Sequence, residues 1–482
     1  MYTTHTYQDW LDTPGYERPR LALEIVRSYV ASPDFTRALT ALEYFRSDNA
    51  AIKTKKLLRP VAVSYKDDKG RTRKRSKAQE IAGNQIGSSY LFRFVTQRCQ
   101  TLMSNGVTLD SDKLKARLGP EFDGILQQVA ERALVQGHAY AYYNVDHIEP
   151  LYAAVDGMSG FVALLDETTS TPRCGIQFWQ LDKKRPQYVR TFEPEGVTVY
   201  KVVKDGVLEV VQDRRAYKQL VWRDALGSEV IGGDNYGGTL PVIPLYADDD
   251  KQGMLTPALK NKIDAYDRIQ SDFADNLDRA NDVYWVLNNF GGTTDDIIEL
   301  LEQIQKVKAV ANISDGTGSG STATPHTIEV PYEARRVALD LLERAMHADA
   351  MALDVRALTG GSLTNVAINA ASRDLQLACD RLEWQVRKTV QGLLRLIGVE
   401  TESIRFKRNS IANDTETLQN IYLCREDLTR EYALRLNPMI EDADIPDLLA
   451  AKDAEDDTGM DDVDRLEEAM QREHAERDAD GV

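Results

Sequence analysis

The residues that could do chemistry are few and scattered. The six histidines, His5, His138, His147, His326, His347 and His474, include no pair three or four apart, so none presents two metal ligands on one helix face. His138 and His147 flank a short apolar stretch, with Asp146 beside the second. That is the one hint of an acid–base or metal site, and a structural role is the expectation. Asp248-Asp249-Asp250 could hold a cation, yet three acids ahead of a helix start also complement its dipole. Cys99, Cys174, Cys379 and Cys424 form no CxxC and read as buried thiols in a reducing compartment. GxxxxGK[ST], HExxH and GxSxG are all missing, and the loop GTGSGSTAT lacks the spacing of a phosphate-binding glycine motif. No catalytic residue, metal or cofactor is assigned.

Charge narrows the partners. The net charge is −17. Residues 441–482 carry 17 acids and 4 bases, or −13, which leaves −4 on the other 440. Such a body lacks the basic face of a tight, sequence-specific nucleic-acid binder. Lys53, Lys55, Lys56 and Arg59 make a small basic cluster, and Lys69–Lys77, KGRTRKRSK, is the densest basic run. It is a solvated loop or hairpin, or an electrostatic contact for nucleic acid or an acidic partner. No run reaches the ~20 apolar residues of a membrane span, and the first ten residues are not a signal peptide.

The elements that must position these residues centre on Leu255–Phe290. Leu259, Ile263, Tyr266, Phe273, Leu277, Ala280 and Tyr284 mark one side of a helix, and Lys260, Asp264, Asp267, Ser271, Asp275, Asp278 and Asp282 mark another. Thr256-Pro257 is a start signal. The helix runs roughly 27 residues, about 40 Å. Val283–Leu287 then favours strand, and Asn288–Gly292 ends it. A second helix is expected over Glu333–Arg356, with Val337, Leu341, Ala345, Ala348, Ala352 and Val355 on its contact side. Between them lie a short helix at Thr294–Gln305, a strand at Val307–Ile313, the loop Asp315–Thr324 and a strand at Thr327–Val330. Periodicity allows two arrangements: an excursion of long helix, compact insert and long helix, or an ordinary helical hairpin in a bundle.

The rest reads as α+β, helices first and a meander after. Leu21–Val30, Thr36–Phe45, a helix through Tyr90–Met103 and Phe122–Gln136 are helical. Ala141–Val145, Phe161–Leu165, Ile176–Leu181, Tyr188–Phe192, Val197–Val203 and Val207–Val211 read as strands, with Asp205-Gly206 a hairpin turn. Pro241–Tyr246 is expected to close that sheet. After a Gly360-Gly361 break, Thr364 or Asn365 caps a long helix reaching Ile397. Glu402–Arg408 reads as a strand, Leu418–Leu436 as a helix and Val463–Arg472 as a short helix in an acidic tail.

The order of these elements resembles the portal proteins of tailed bacteriophages, over roughly Leu39–Ala450. The most specific part is Ile243–Gly292: a proline-aromatic strand end (IPLY), the helix with its IDAYD core, and VLNNFGG after it. SSYLFRFVTQRCQTLMSNGV, GHAYAYYNVD, IANDTETLQNI and RLNPMIEDAD support it in order and spacing. The resemblance implies a portal fold: an α/β wing (1–254), two long stem helices (255–282 and 332–357), a small α/β clip (283–331), a tunnel loop (358–366), a long kinked wing helix and strand (367–410), a helical crown (411–452) and a partly disordered acidic tail (453–482).

It also implies a non-enzymatic ring of about twelve subunits at one capsid vertex, with an axial channel for packaging and ejection. Implied partners are further copies of the chain, double-stranded DNA without regard to sequence, the large terminase subunit, a head-completion adaptor, and major capsid and scaffolding proteins; no membrane is involved. The implied place is the virion's portal vertex, after assembly in the host cytoplasm. Arg356, Gly360, Gly361, Ser362, Thr364, Asn365 and Arg373 would meet DNA at the tunnel loop, although Arg356 and Arg373 could equally form intersubunit salt bridges. Lys260, Asp264, Asp267, Asp275, Asp278 and Asp282 are candidates for the stem lumen, where the acids would repel phosphates. Asp295, Asp296, Gly316, Gly318, Ser319 and Gly320 would dock partners at the clip. Two alternatives stay open: another ring-forming head–tail connector component, or an unrelated α+β enzyme with a helical insertion.

Overall fold

The computed structural model describes all residues except 1–2, 54, 67–71, 110, 204–205, 224–228, 281–283, 289–321, 327–331, 359–363, 401–402, 410–413, 425–426, 438, 441–443 and 452–482. The chain forms two compact units. One comprises Met1–Leu353 with Asp374–Asn409, the other Asp354–Arg373 with the residues from Ser410 onward. Helix and sheet are both abundant, so the α+β reading holds. Among the described residues, no helix is long and apolar enough to cross a membrane.

In the first unit, helices Arg18–Val30 and Pro33–Phe45 each begin with proline in the first turn, where a missing N–H costs nothing. Ser32 caps the second, its Oγ accepting from Phe35 N–H at 3.2 Å. Tyr29 and Phe35 from these helices meet Phe178 of a six-stranded antiparallel sheet, and Ile25, Ile176 and Val189 complete that core. The sheet is a meander of neighbouring strands: Ala154–Asp156, Ser159–Leu165, Pro172–Trp179, Tyr188–Glu193, Gly196–Val202 and Leu208–Arg215. Gly206 takes φ +73°, the left-handed value its hairpin turn requires.

Val242–Tyr246 does not close that meander. It pairs with His138–Asn144, which pairs with His147–Tyr152, in a separate three-stranded sheet. Pro244 has no N–H for a second neighbour and suits the edge position it occupies. Helix Phe122–Gln136 precedes this sheet, ends at Gly137 (φ +91°) and agrees with the sequence reading. Of the basic run, 72–77 lies in strand Thr72–Ala82, which pairs antiparallel with Lys56–Lys66, and 69–71 lie outside the described residues. The expected strand Glu402–Arg408 shortens to Arg405–Phe406, paired with Val107–Thr108.

The central helix spans Pro257–Ala280, 24 residues, capped by Thr256, whose Oγ1 accepts from Leu259 N–H at 3.2 Å. Strand Tyr284–Asn288 follows and pairs antiparallel with Thr322–His326. Thr322 and Thr324, placed in the loop from sequence, are β-branched and suit the extended state. The other elements expected between the long helices lie outside the described residues. The return helix, Tyr332–Asp349, runs antiparallel to the first: Lys262 pairs with Asp349 at one end, and Arg335 lies 5.9 Å over the Phe273 ring towards the other. It stops short of the expected Arg356 because Met351 adopts φ +49°, which a right-handed helix does not admit. Its buried residues are Met346 and His347, while Val337 and Leu341, expected at the contact, are exposed.

In the second unit a single turn, Val355–Leu358, precedes helix Asn365–Leu396, 32 residues in all, of which the stretch up to Arg373 belongs to this unit and the stretch from Asp374 to the first. The helix expected over Leu418–Leu436 is two, Asp414–Leu423 and Arg430–Leu436. Thr429 starts the second, its Oγ1 accepting from Tyr432 N–H at 3.3 Å. Val463–Arg472 lies outside the described residues.

Candidate functional site

The acidic side of the long helix is its most deeply buried side. Asp267 and Ser271 are fully buried, and Asp264 and Asp275 nearly so. What covers them is an extended segment, 83–89, together with the end of helix Pro33–Phe45 and the short helix Ala50–Lys53. Ser88 N–H donates to Asp267 Oδ1 at 3.0 Å, Ile86 N–H to Ser271 Oγ at 3.0 Å, and Asn84 N–H to Asp275 Oδ1 at 2.7 Å. The two periods match. Alternate residues of an extended chain advance about 6.6 Å, and four helical residues advance about 6 Å. Three successive N–H groups on one edge of the segment therefore meet acceptors at 267, 271 and 275.

Side chains complete this seam. Asn49 Nδ2 donates to Asp267 Oδ2 and, at 3.2 Å, to Ser88 O. The Tyr44 hydroxyl donates to Asp264 Oδ1, while Lys260 Nζ reaches Asp264 Oδ2 at 2.7 Å. Lys55 Nζ lies 2.6 Å from Asp275 Oδ2 and 2.8 Å from Asp272 Oδ1. Close approach is possible because Gly87 has no side chain: a Cβ there would stand 3.1 Å from both Ser47 O and Ile52 Cδ1.

Electrostatics divides the two end carboxylates of the ladder. Burial raises the Asp267 pKa, and hydrogen bonds from Ser88 and Asn49 only partly offset that, so it lies above the ordinary carboxylate value. Burial also acts to raise Asp275, but the Lys55 ammonium and the Asn84 N–H outweigh it and leave the pKa lowered. The Tyr44 phenol is raised, first by burial and then by its bond to Asp264.

These contacts correct the lumen expectation. Asp264, Asp267 and Asp275 are spent on the chain's own elements and cannot repel phosphates across open space. Lys260 is held by Asp264. The side chain of Asp278, and Asp282 altogether, lie outside the described residues. Sequence reasoning missed Tyr44, Asn49, Lys55, Asn84 and Ser88; the signal was the small, polar run Gly83–Ser89 preceding an aromatic helix start.

The tunnel-loop candidates come only partly together. Arg356 is gripped by Asp354 of the same chain, with Nε 3.0 Å from Oδ1 and Nη2 2.9 Å from Oδ2. Thr364 caps the long helix, its Oγ1 accepting from Ala367 N–H at 3.3 Å. Asn365 N–H donates to Glu416 Oε2 at 2.6 Å, and its Nδ2 to Thr417 Oγ1 at 3.3 Å. Arg373 is exposed. Gly360, Gly361 and Ser362 lie outside the described residues, as do the clip candidates Asp295, Asp296, Gly316, Gly318, Ser319 and Gly320.

The remaining candidates do not build a catalytic centre. His138 is buried, and desolvation lowers its pKa to about 3. His147 is partly exposed; Nδ1 lies 2.8 Å from Asp146 Oδ1, and that bond raises its pKa above the ordinary value. Asp249 of the Asp248–Asp250 run accepts from Gln385 Nε2 at 2.7 Å at the edge of an open cleft. Cys99, Cys174 and Cys379 are buried thiols, but Cys424 is exposed. Among the described residues, no group of three or more His, Cys, Asp or Glu could hold a metal.

Fold and seam define an α+β protein organised on a long helix that buried carboxylates fasten to the body. A family model described as "Phage portal protein, SPP1 Gp6-like" matches residues 32–471. The portal protein of Clostridium phage phiCD119 is 23% identical over 457 residues, 88% of this chain and 94% of that protein. The portal protein of Bacillus phage SPP1 is 23% identical over 380 residues, 72% of each. The chain belongs to the phage portal protein family, whose members are structural components of the virion capsid.

Proposed function

We propose that this chain is one subunit of a ring of about twelve that forms the DNA channel at a capsid vertex. The observation that carries the reading is the antiparallel pairing of Pro257–Ala280 with Tyr332–Asp349, with the strand pair Tyr284–Asn288 and Thr322–His326 inserted between them in sequence. In this reading the two helices are the stem, 283–331 is the clip that docks the terminase and later the adaptor, and 358–366 is the tunnel loop. Residues 1–254 and 367–410 form the wing, 411–452 the crown and 453–482 an acidic tail. Capsid and scaffolding proteins surround the wing, and assembly takes place in the host cytoplasm.

The lone protomer supports a ring in a second way. Leu277, Val337 and Leu341 are 48%, 54% and 60% exposed on the paired helices. Neighbouring stems would cover them, at about 25 cal/mol per Å2 of apolar surface. The tunnel loop would meet DNA through Ser362, Thr364, Asn365 and backbone N–H groups, with Arg373 an exposed cation and Arg356 released only if Asp354 lets go. Such contacts are weak and blind to sequence, as a translocation channel requires. Native mass spectrometry with averaged electron-microscope views tests the proposal. A closed ring with a central hole is expected; a protomer or dimer at micromolar concentration refutes it.

A further inference from the structure

The chain passes between its two units three times, after Leu353, after Arg373 and after Asn409. On the first unit's side, all three passages are tied to one turn of helix Tyr90–Met103. At the first, Gln97 grips Leu353 as a neighbouring strand would: its Nε2 donates to Leu353 O at 3.2 Å, and its Oε1 accepts from Leu353 N–H at 3.1 Å. Arg98 Nη2 donates to Ala350 O at 2.7 Å, a bond made at a desolvation cost, since burial lowers the Arg98 pKa. At the second, the Cys379 thiol donates to Arg98 O at 3.7 Å. At the third, Asn409 N–H donates to Thr101 O at 2.9 Å. Arg408 then ties the third passage to the second, with Nη1 3.1 Å from Gln376 Oε1 and Nη2 2.5 Å from Asp380 Oδ1. Gln97 and Thr101 are four residues apart, about 6 Å along the helix. Burial changes at the same points: Leu353 and Leu375 are buried, while Val355 and Arg373 are exposed.

We propose that this turn is a clamp that stops displacements of the second unit from entering the first. Load arriving by any passage falls on the same helix, whose Leu91, Phe94, Val95 and Leu102 are packed in the interior. A close-packed core yields little, so the three anchors hold position together. The clamp rests on the fold alone. Its use rests on the reading above, in which the second unit includes the tunnel loop: what happens at 358–366 would end at Leu353 and leave the return helix, Tyr332–Asp349, in place.

The test is a double-mutant cycle read by hydrogen-exchange mass spectrometry on the full chain. Gln419→Pro loosens the second unit by breaking helix Asp414–Leu423 at an exposed position. Gln97→Met keeps the length of the side chain and removes both bonds to Leu353. Circular dichroism checks that each chain is folded. Gln419→Pro alone should speed exchange across 414–423 and leave 345–353 within about twofold of wild type. Gln97→Met alone should speed exchange at 350–353 by about ten- to a hundredfold, as two lost hydrogen bonds predict. With both changes the lesion should reach the return helix, and 345–349 should exchange at least about threefold faster than in Gln97→Met. Spread of the Gln419→Pro lesion to 345–353 with Gln97 in place overturns the clamp, as does a combined chain that shows only the two separate effects. Should Gln97→Met fail to fold, Asn409→Pro, which deletes the donor to Thr101, repeats the comparison at the third passage with 403–408 as the reporter. None of these readouts needs a ring: a clamp that fails within a closed ring leaves the channel reading standing, and a clamp that holds in a protomer stands without it.

Discussion

Replacing Asp267 with alanine tests the seam most directly. The change removes the acceptor of Ser88 N–H at 3.0 Å and of the Asn49 amide, both within the protein interior. Hydrogen bonds to a charged group contribute about 1.5–3 kcal/mol each, and a donor left dry costs about 1–3. Removing a buried carboxylate also relieves its desolvation, the first cause of its raised pKa. The balance is a local loss of about 2–4 kcal/mol, which should speed amide exchange in the peptide covering 84–88 by about 30- to 700-fold. Hydrogen-exchange mass spectrometry reads that directly, with exchange in helix Phe122–Gln136 as the internal control. Unchanged protection of that peptide would refute the seam.

The isosteric Asp267→Asn keeps one acceptor for Ser88, and its pH profile adds a sign test. Asp267 has a raised folded pKa, so its contribution to stability is full below the unfolded value of about 3.9 and is lost as pH rises through the folded value. Asp275 has a lowered folded pKa, so its contribution is present above about 3.9 and is lost as pH falls through the folded value. On acidification through these windows, the stability gap of wild type over Asp267→Asn should widen, and that over Asp275→Asn should narrow. Slopes of the same sign would contradict the assignment.

Other consequences are as direct. In an NMR titration His147 should protonate above the ordinary histidine value of about 6.5, with Asp146→Asn lowering it, while His138 stays neutral down to about 3. Under native conditions a thiol reagent should modify Cys424 first, because Cys99, Cys174 and Cys379 are buried and desolvation raises their pKa values; early labelling of all four would contradict this packing. Val337→Ser with Leu341→Ser should leave the protomer's melting within about 0.5 kcal/mol of wild type, as exposed substitutions do, yet reduce ring yield; rings formed at wild-type yield would remove these side chains from the interface.

Much of the architecture was legible because its signals are local. Phe122–Gln136 was read to the residue, and the meander strands fell close to their observed places, since apolar period and turn residues lie within the element itself. The stripe of Asp267, Ser271 and Asp275 was equally visible, but its direction was not. Its partners are backbone N–H groups 179 to 191 residues earlier, and a backbone donor leaves no mark in composition. A charged stripe therefore read as exposed. The return helix misled for a related reason: its apolar residues lie on more than one side, and only the fold selects Met346, beside His347, as buried. Where it ends depends on one left-handed residue, Met351, which is not a glycine.

The seam also makes the long helix a part with one detent. Slide it by one turn towards its carboxyl end and Ser88 would face Ile263, which offers no acceptor; slide it the other way and Asn84 would face Arg279, which can only donate. Either displacement strands a backbone donor and takes Asp275 from Lys55. Half-steps break all three ladder bonds at once. Axial load on this helix is therefore passed whole to the segment 83–89 and the body behind it, as a keyed shaft passes thrust to its hub, with no slippage to absorb it.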